Sequence, residues 1–377
     1  MHIILAVVIL GIALVPAALY VAMPTYMGIL FLAHKTKTTN KSQGTAIPSS
    51  AIIIATIIIV TLFLSVLANQ SISDLYLSFR GSARYMIYLA FAVTVAKTNP
   101  NTLRSTLRLL LIPLALGLAL QNYLTLYEPI SGTTRYKFIF EHPNHFAYFL
   151  VPIFFYYLAL EKNQRYKLLG ISIVSISLAL SKSSGAALTV SAITIVYFSK
   201  NSKALLYGLL CAIALASLAY ITGTYDKLYA QITSFSPGEL NTKIDDQNFG
   251  GSGSLSWRLV YWGAILKSIS IESWHSLLIG LGYGSMSYGS YAFDFMYTDP
   301  HNDIIKTLAE NGLIGIVTLA YISYLAGRKL TKHKLAFFLS LLIPMFFGNI
   351  LVNAAYISTT IITFHLLHRA STPDNEY

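Results

Sequence analysis

The chain consists largely of apolar runs, each about as long as a membrane helix, separated by short polar segments. Its hydrophobic fraction is 55% and its charged fraction is only 11%, against about 45–50% and about 25% in soluble domains. So few charges cannot cover so much apolar surface in water, and this composition also excludes a disordered chain. A single cysteine, Cys211, excludes a disulfide scaffold. The sequence therefore predicts an all-α fold, a polytopic membrane helix bundle.

About 12 transmembrane helices are predicted. Residues 2–34 form either one long helix or a helical hairpin, because Pro16 and Pro24 interrupt the apolar run. No Lys or Arg precedes Lys35, so this start lacks the charged region of a cleaved signal. The other predicted spans are residues 50–68, 85–97, 109–126, 146–160, 168–182, 185–199, 204–222, 306–326, 335–349 and 352–367.

The basic residues predict the orientation of the chain. Most of the 26 Lys and Arg residues fall in alternate loops on one side, with only three of the 15 acidic residues, Glu161, Asp374 and Glu376. By the positive-inside rule that side is cytoplasmic, and both termini lie on it. The basic residues that give the net charge of +11 are thereby assigned to orienting the chain and to contacting membrane lipid. They do not form a stripe that would bind nucleic acid.

Two predicted external loops are long, residues 127–145 and residues 223–305. The second divides the chain into transmembrane helices in residues 1–222, a large external loop in 223–305, and C-terminal transmembrane helices with a short cytoplasmic tail in 306–377. Around Arg258, aromatic residues recur at helical spacing, which predicts a helix lying at the membrane interface. Loops this long are either functional or disordered, and the aromatic content favours a functional one.

The segment Asp299-Pro300-His301-Asn302-Asp303 carries the clearest chemical signal. Asp299 and Pro300 suit the cap and first turn of a helix, which would place His301 at the helix N-terminus. There the helix dipole favours a neutral imidazole, and a neutral imidazole accepts a proton near neutral pH. His301 is therefore a candidate catalytic base. The alternative is that Asp299 and Asp303 are capping groups and His301 is an interfacial histidine.

Behind His301, a polar stripe runs along the apolar helix that follows. Asn302, Lys306 and Glu310 recur every four residues and so share one helix face. Ionisable groups are costly in lipid, so we expect the stripe to face protein or a wet cavity.

Several cations on the external side suggest a site for an anion. The planar fork of Arg258 matches phosphate oxygens, although an arginine snorkelling beside aromatic residues would have the same sequence. Arg135 and Lys137 could clamp an anion, or they could belong to a solvated loop. With His301 they suggest a diphosphate site, because a leaving diphosphate needs positive charge and an attacking hydroxyl needs a base.

No metal site or nucleotide site is predicted. His142 and His145 are three residues apart, but Pro143 lies between them and the sequence offers no third ligand. The chain has neither a phosphate-binding loop of the Gly-Lys-Ser/Thr type nor a dinucleotide fingerprint between a strand and a helix.

Three stretches, in this order and spacing, resemble the O-antigen ligase/polymerase superfamily. They are residues 254–264 with Arg258, the Gly-rich turn of residues 278–284, and Pro300-His301-Asn302-Asp303 followed by residues 310–315 (Glu-Asn-Gly-Leu-Ile-Gly). The segment from Arg135 to Ala147 is similar to an earlier external loop of that family. The layout of the spans is compatible, so the resemblance covers most of the chain.

The resemblance implies a metal-independent membrane glycosyltransferase of the GT-C type that needs no cofactor. Such enzymes work in the bacterial inner (plasma) membrane with the active site facing the periplasm, and their donor is a glycan on undecaprenyl diphosphate. Ligases pass the glycan to the lipid A core, and polymerases pass it to a second lipid-linked glycan.

The resemblance also implies roles for individual residues. His301 would be the catalytic base, and Arg258 would face the diphosphate. Arg135, Lys137, Lys182, Asn302 and Glu310 are the further residues expected to bind substrate. The chain departs from the family at one turn, where Ser184 replaces an arginine that family members often have; Lys182 could supply the missing charge.

An O-antigen ligase is the expected function, and a polymerase using the same donor is the alternative. A transporter or flippase for lipid-linked glycans is the rival from another class. Transporters show internal repeats and ionisable groups near the middle of the membrane, whereas this sequence shows no repeat. A structural subunit without chemistry is a further rival.

Overall fold

The computed structural model describes residues 2–14, 23, 27, 72–121, 126–130, 133–199, 254–272, 274–282, 285–286, 299–327 and 333–371. Most of these residues are helical, which confirms the helical fold class. The number of transmembrane helices, the side on which the termini lie, and the division into three regions stay predictions.

The helices are numbered in chain order. They are α1 (His2–Leu14), α2 (Ile72–Ala96), α3 (Pro100–Leu109), α4 (Leu111–Ala119), α5 (Pro143–Ala159), α6 (Gln164–Ser181), α7 (Ser184–Phe198), α8 (Ser254–Glu272), α9 (Trp274–Ile279), α10 (Asp303–Gly327), α11 (Lys334–Phe347) and α12 (Ala354–Ser371). Two short strands, β1 (Tyr127–Ile130) and β2 (Thr133–Tyr136), lie between α4 and α5.

Two of the described stretches are long and apolar enough to cross a membrane. They are Pro100–Ala119, which combines α3 and α4, and Asp303–Leu325 in α10. Shorter apolar helices occur at His2–Ile12, Ser184–Phe198 and Leu335–Phe347. Large apolar side chains are exposed on the outer faces, for example Val317 of α10. These features agree with a membrane protein.

Helix α5 lies at the centre of the described bundle. Most of its side chains are buried, and it packs against α6, α7 and α12. A helix that is apolar on every face is typical of a position surrounded by other helices. Because α5 is enclosed in this way, its N-terminal end can carry side chains into the interior of the bundle.

A β-hairpin in the first long loop was not predicted. β1 and β2 are antiparallel, with Tyr127 opposite Tyr136. Tyr136 is fully buried, and its ring meets Phe146 of α5 edge to face at 5.3 Å. Contacts with a distant helix therefore stabilise strands too short to be recognised from their own sequence. The all-α helix bundle therefore also carries one short two-stranded hairpin.

The span predicted at residues 109–126 begins earlier, at Pro100. The prediction leaves residues 98–108, which include Arg104 and Arg108, outside the spans. Arg108 is neutralised within the protein, because its guanidinium donates to both carboxylate oxygens of Glu161, at 2.8 and 2.6 Å. Tyr156 also donates to Glu161, at 2.9 Å. A paired arginine can therefore belong to a mostly apolar helix.

Several predicted features lie outside the described residues. These are the spans at 50–68 and 204–222 and much of the external loop at 223–305. Within that loop the helix predicted around Arg258 is confirmed as α8, while its position at a membrane interface stays a prediction.

Candidate functional site

His301 lies in the loop before α10 and not in its first turn. Helix α10 begins at Asp303, and Asn302 is its cap, since Asn302 Oδ1 accepts two first-turn backbone N–H groups at 3.0 Å each. The prediction that Asp299 is the cap and Pro300 is in the first turn is wrong. The physical reason is that His301 has a left-handed φ of 52°, which an α-helix does not contain. Asp299 instead closes the loop, because its Oδ1 accepts the His301 backbone N–H at 3.2 Å.

The His301 ring is partly buried and contacts an amide. Its Nδ1 lies 3.0 Å from Nδ2 of Asn349. Burial, and after it the positive charge of Arg258, lowers the pKa of His301 to about 4. The ring is therefore neutral at pH 7, as predicted, but burial is the main cause and not a helix dipole.

Arg258 approaches the His301 loop from α8. Its Nη1 donates to the backbone oxygen of Phe347 at 3.5 Å, and its Nε is buried without a hydrogen-bond partner among the described residues. One turn later, Trp262 Nε1 donates to the backbone oxygen of Pro300 at 2.7 Å. Residues four apart share a helix face, so the face of α8 that carries Arg258 lies against the His301 loop.

Arg258 and His301 meet the same segment, the connection between α11 and α12. Residues 348–353 form this connection, named the 348–353 turn. Arg258 contacts Phe347, the residue before this turn, and His301 contacts Asn349 within it. The structure therefore brings together the two side chains that the sequence predicted to act together.

The 348–353 turn is itself held by buried hydrogen bonds. Asp303 is fully buried, and its Oδ2 accepts the backbone N–H groups of Ile350 at 2.7 Å and Leu351 at 3.2 Å. Asn353 Nδ2 donates to the backbone oxygen of His145 at 2.8 Å. These bonds tie the turn to the starts of α10 and α5, so its position is fixed from two sides.

Tyr148 of α5 fills the space beside the turn. A Cβ atom added at Gly185 would clash with the Tyr148 hydroxyl, and one added at Gly348 would clash with its ring. The tyrosine is thus enclosed by two residues without side chains. Tyr148 therefore packs between the start of α7 and the first residue of the 348–353 turn.

Arg135 links the hairpin to two helices. Its Nε donates to the backbone oxygen of Ser181 at 2.9 Å, and its Nη2 donates to Asn144 Oδ1 at 2.6 Å. Arg135 is only 2% exposed. The residue after Ser181 is Lys182, which ends α6 with a left-handed φ of 50° and is partly exposed. Arg135 is therefore bonded to the residue that directly precedes Lys182 in the chain.

The remaining predicted loop residues have separate surroundings. Lys137 lines an open cavity of about 490 Å³ together with Glu141. His142 caps α5, because its Nδ1 accepts the backbone N–H of Asn144 at 3.1 Å. Within the described part of the chain, no group of three or more His, Cys, Asp or Glu side chains could hold a metal ion.

The polar stripe on α10 faces protein, as predicted. Asn302, Lys306 and Glu310 are all buried. Lys306 Nζ forms an ion pair with Asp299 Oδ2 at 2.5 Å, and Glu310 Oε1 accepts the backbone N–H of Met286 at 3.4 Å. Each side chain therefore has a partner within the protein. Substrate binding by Asn302 and Glu310 stays a prediction.

Residues 168–320 match the family described as O-antigen ligase. The match supports the O-antigen ligase/polymerase superfamily for this region of the chain. No curated protein matches the chain significantly. The matched region includes Lys182, Arg258 and His301, and it ends before the 348–353 turn.

The two Gly-rich motifs that suggested the superfamily pack against each other. The N–H of Leu281 donates to the backbone oxygen of Ala309 at 2.8 Å, and the N–H of Gly282 donates to that of Glu310 at 2.9 Å. At Gly312, α10 breaks its helical geometry with φ 59° and ψ −159°. A Cβ atom at Gly312 would clash with the Leu278 backbone. The motifs of the superfamily thus form a backbone-to-backbone contact that fixes α9 against α10.

Gly312→Ala is expected to destabilise the protein by at least about 1–3 kcal/mol, the cost of a backbone conformation that only glycine adopts readily. The clash with the Leu278 backbone adds to this cost. Thermal unfolding of the purified protein in detergent measures the effect. Gly11→Ala is the control, because a Cβ atom at Gly11 of α1 has no neighbour within 4 Å. Equal melting temperatures for Gly312→Ala and wild type would contradict this role of Gly312.

Sequence reasoning missed Trp262, Tyr148 and Asn349. Trp262 belongs to the motif of residues 254–264, where its aromatic character alone indicates an interfacial helix. Tyr148 and Asn349 lie in predicted spans, where an isolated Tyr or Asn is easily taken for a packing residue. The neighbouring glycines, Gly185 and Gly348, were a usable signal, because small residues permit close packing of a large ring.

Proposed function

We propose that the protein transfers a glycan from undecaprenyl diphosphate to an acceptor hydroxyl at the periplasmic face of the bacterial inner membrane. The match to the O-antigen ligase family supports this general activity. The observation that carries the proposal is that Arg258 of α8 contacts Phe347 at the end of α11, while His301, in the loop before α10, contacts Asn349 two residues later. A cation and a neutral base in the same region suit a reaction in which a diphosphate leaves as a hydroxyl attacks.

The proposed step uses His301 as general base. The acceptor hydroxyl oxygen forms a bond to the anomeric carbon of the donor glycan, and the bond from that carbon to the diphosphate oxygen breaks. The electron pair of the broken bond stays on the diphosphate, and the hydroxyl proton moves to the imidazole ring of His301.

Arg258 is proposed to stabilise the leaving diphosphate. No carboxylate neutralises its guanidinium within the described residues, and its Nε lacks an acceptor there. Such an arginine has unused capacity for a bidentate bond to phosphate oxygens. Lys182 is proposed as a second contact. Arg135, buried and bonded to Ser181, holds the Lys182 turn.

The acceptor is proposed to be the lipid A core, which makes the protein a ligase; the alternative is a polymerase that uses a second lipid-linked glycan. The test uses the purified full chain in lipid nanodiscs with synthetic undecaprenyl-diphosphate glycan, each acceptor in turn, and EDTA throughout. Product on the lipid A core supports the ligase, and lengthened lipid-linked glycan supports the polymerase. If neither acceptor receives glycan from the donor, and added metal does not restore transfer, the proposal is contradicted.

The pH dependence of transfer follows from the state of His301. Because its pKa is lowered to about 4, we expect kcat/KM to stay level as the pH is lowered from 8 to about 5 and to fall only near pH 4. A rate measured across this range in one buffer series checks the prediction. A fall centred near pH 6.5, the ordinary histidine value, would contradict it.

The same pKa affects stability. In the unfolded chain the histidine binds its proton near pH 6.5, whereas in the folded protein it does so near pH 4. His301 therefore contributes stability above about pH 6.5, and this contribution is lost as the pH falls to about 4.

A further inference from the structure

We propose that Lys306 is a positioning residue for His301: its ammonium group fixes Asp299, and Asp299 fixes the backbone that carries the imidazole. This inference rests on the proposed function of His301. In this role Lys306 does not touch the substrate or the reacting atoms. It acts through two consecutive contacts, both of them within residues 299–306.

One carboxylate makes both contacts. Lys306 Nζ lies 2.5 Å from Oδ2 of Asp299, and the other oxygen, Oδ1, accepts the backbone N–H of His301 at 3.2 Å. The Asp299 carboxylate therefore bridges a buried side chain of α10 and the backbone of the His301 loop. Hydrogen bonds to an ionised group are roughly twice as strong as neutral ones, so this bridge is well suited to hold the loop.

The peptide group between Pro300 and His301 is held at both of its polar atoms. Its N–H donates to Asp299, and its carbonyl oxygen accepts the indole N–H of Trp262 at 2.7 Å. The plane of this peptide group helps to define φ of His301, which is 52°. A left-handed conformation is uncommon in a residue with a side chain and persists only where the surroundings enforce it. Asp299 and Trp262 enforce it here, and the conformation sets the direction in which the imidazole leaves the backbone.

Lys306 is a costly residue for its position. It lies on α10 within a stretch apolar enough to cross a membrane, and it is only 7% exposed. A cation in such a place is expensive and by default indicates a functional role. An apolar residue could bury the same helix face at a similar or lower cost. The connection from Lys306 through Asp299 to His301 explains why a charge is kept there.

The alternative role for Lys306 is direct contact with the donor diphosphate. The Lys306 side chain is 8% exposed, and its ammonium already faces the Asp299 carboxylate. A diphosphate would have to displace that carboxylate. Arg258 has no carboxylate partner among the described residues and needs no such exchange. The geometry therefore favours positioning over donor binding for Lys306.

Substitutions of Lys306 separate these two roles. Lys306→Met removes the ammonium and keeps most of the stem. The Asp299 side chain that it leaves unpaired is 22% exposed, so water can solvate the carboxylate and the fold should survive. We expect kcat to fall about 100-fold, the loss that a misplacement of about 1 Å can cause, with little change in KM for the donor. Lys306→Gln keeps a donor for Asp299 without the charge and should recover part of the rate.

The experiment that tests the bridge directly is amide hydrogen exchange, followed by NMR of the full chain in detergent with ¹⁵N-labelled histidine. His301→Gln identifies the His301 amide among the nine histidines. We expect this amide to exchange slowly in wild type and about tenfold faster or more in Lys306→Met, the effect of weakening a hydrogen bond to a charged group. The amide of His365, inside α12, is the internal reference and should keep its rate. Lys97→Met, at an exposed lysine after α2, is the control and should match wild type in exchange and transfer.

Three results would overturn the proposal. The first is a His301 amide that exchanges in Lys306→Met at the wild-type rate. The second is an equal rise at His365, which would report a general loosening of the fold. The third is an unchanged kcat in Lys306→Met, and a raised KM for the donor with it would assign Lys306 to donor binding.

The exchange measurement does not depend on glycan transfer. If Lys306→Met speeds exchange at His301 alone, but the wild-type protein transfers no glycan, the proposed function is contradicted while the bridge is supported. The failure of the bridge and the failure of the proposed function are therefore distinguishable.

Discussion

His301→Gln is expected to lower kcat for glycan transfer about 100- to 10,000-fold, the usual contribution of a general base. Glutamine can still bond to Asn349 but cannot accept a proton at neutral pH. KM for the donor should change little, because Arg258 and Lys182 are the proposed donor contacts. Single-turnover transfer with the synthetic donor measures the chemical step separately from product release.

The matched control is His275→Gln, which changes an exposed histidine of α9 and should transfer at the wild-type rate. Both variants should elute as a single species in size-exclusion chromatography, so that loss of folding is not read as loss of catalysis. A His301→Gln protein with more than a tenth of the wild-type kcat would rule out His301 as the base.

The sequence predicted helices well because apolar runs report burial in a bilayer or a bundle directly. It failed where a local pattern depends on a distant partner. The strand β2 depends on the packing of Tyr136 against Phe146, and the early start of the Pro100–Ala119 stretch depends on the pairing of Arg108 with Glu161. In each case the stabilising residue lies in another helix or loop, where a reading of local pattern does not find it.

The site was predictable to the extent that its residues are chemically unusual for their position. Arg258 and His301 stood out because they are ionisable groups at the edge of apolar segments. Asp303 did not, because an Asp at a helix start reads as a cap, whereas here it binds the 348–353 turn. Asn349 is a neutral residue at the end of an apolar run, and only the fold shows that it meets His301.

Arg258→Met is expected to lower kcat about 100- to 1,000-fold, the usual effect of removing one donor to a developing negative charge. Methionine keeps most of the apolar stem that packs along α8, so the loss reports the guanidinium. Arg258→Lys should recover part of the activity, because it restores the charge without the planar fork. Transfer assays at saturating donor measure these differences, with Lys267→Met, an exposed position on the same helix, as the control.

Arg258→Met is also expected to leave the melting temperature unchanged or to raise it. This result would distinguish a binding role of Arg258 from a structural one. The guanidinium has one long bond, 3.5 Å to Phe347, and a buried Nε without a partner in the described part of the chain. Burying a charge with so little compensation costs folding free energy, so an apolar replacement removes that cost. A protein keeps such a group when function requires it. If the Arg258→Met protein has a lower melting temperature and keeps its transfer rate, Arg258 only supports the fold.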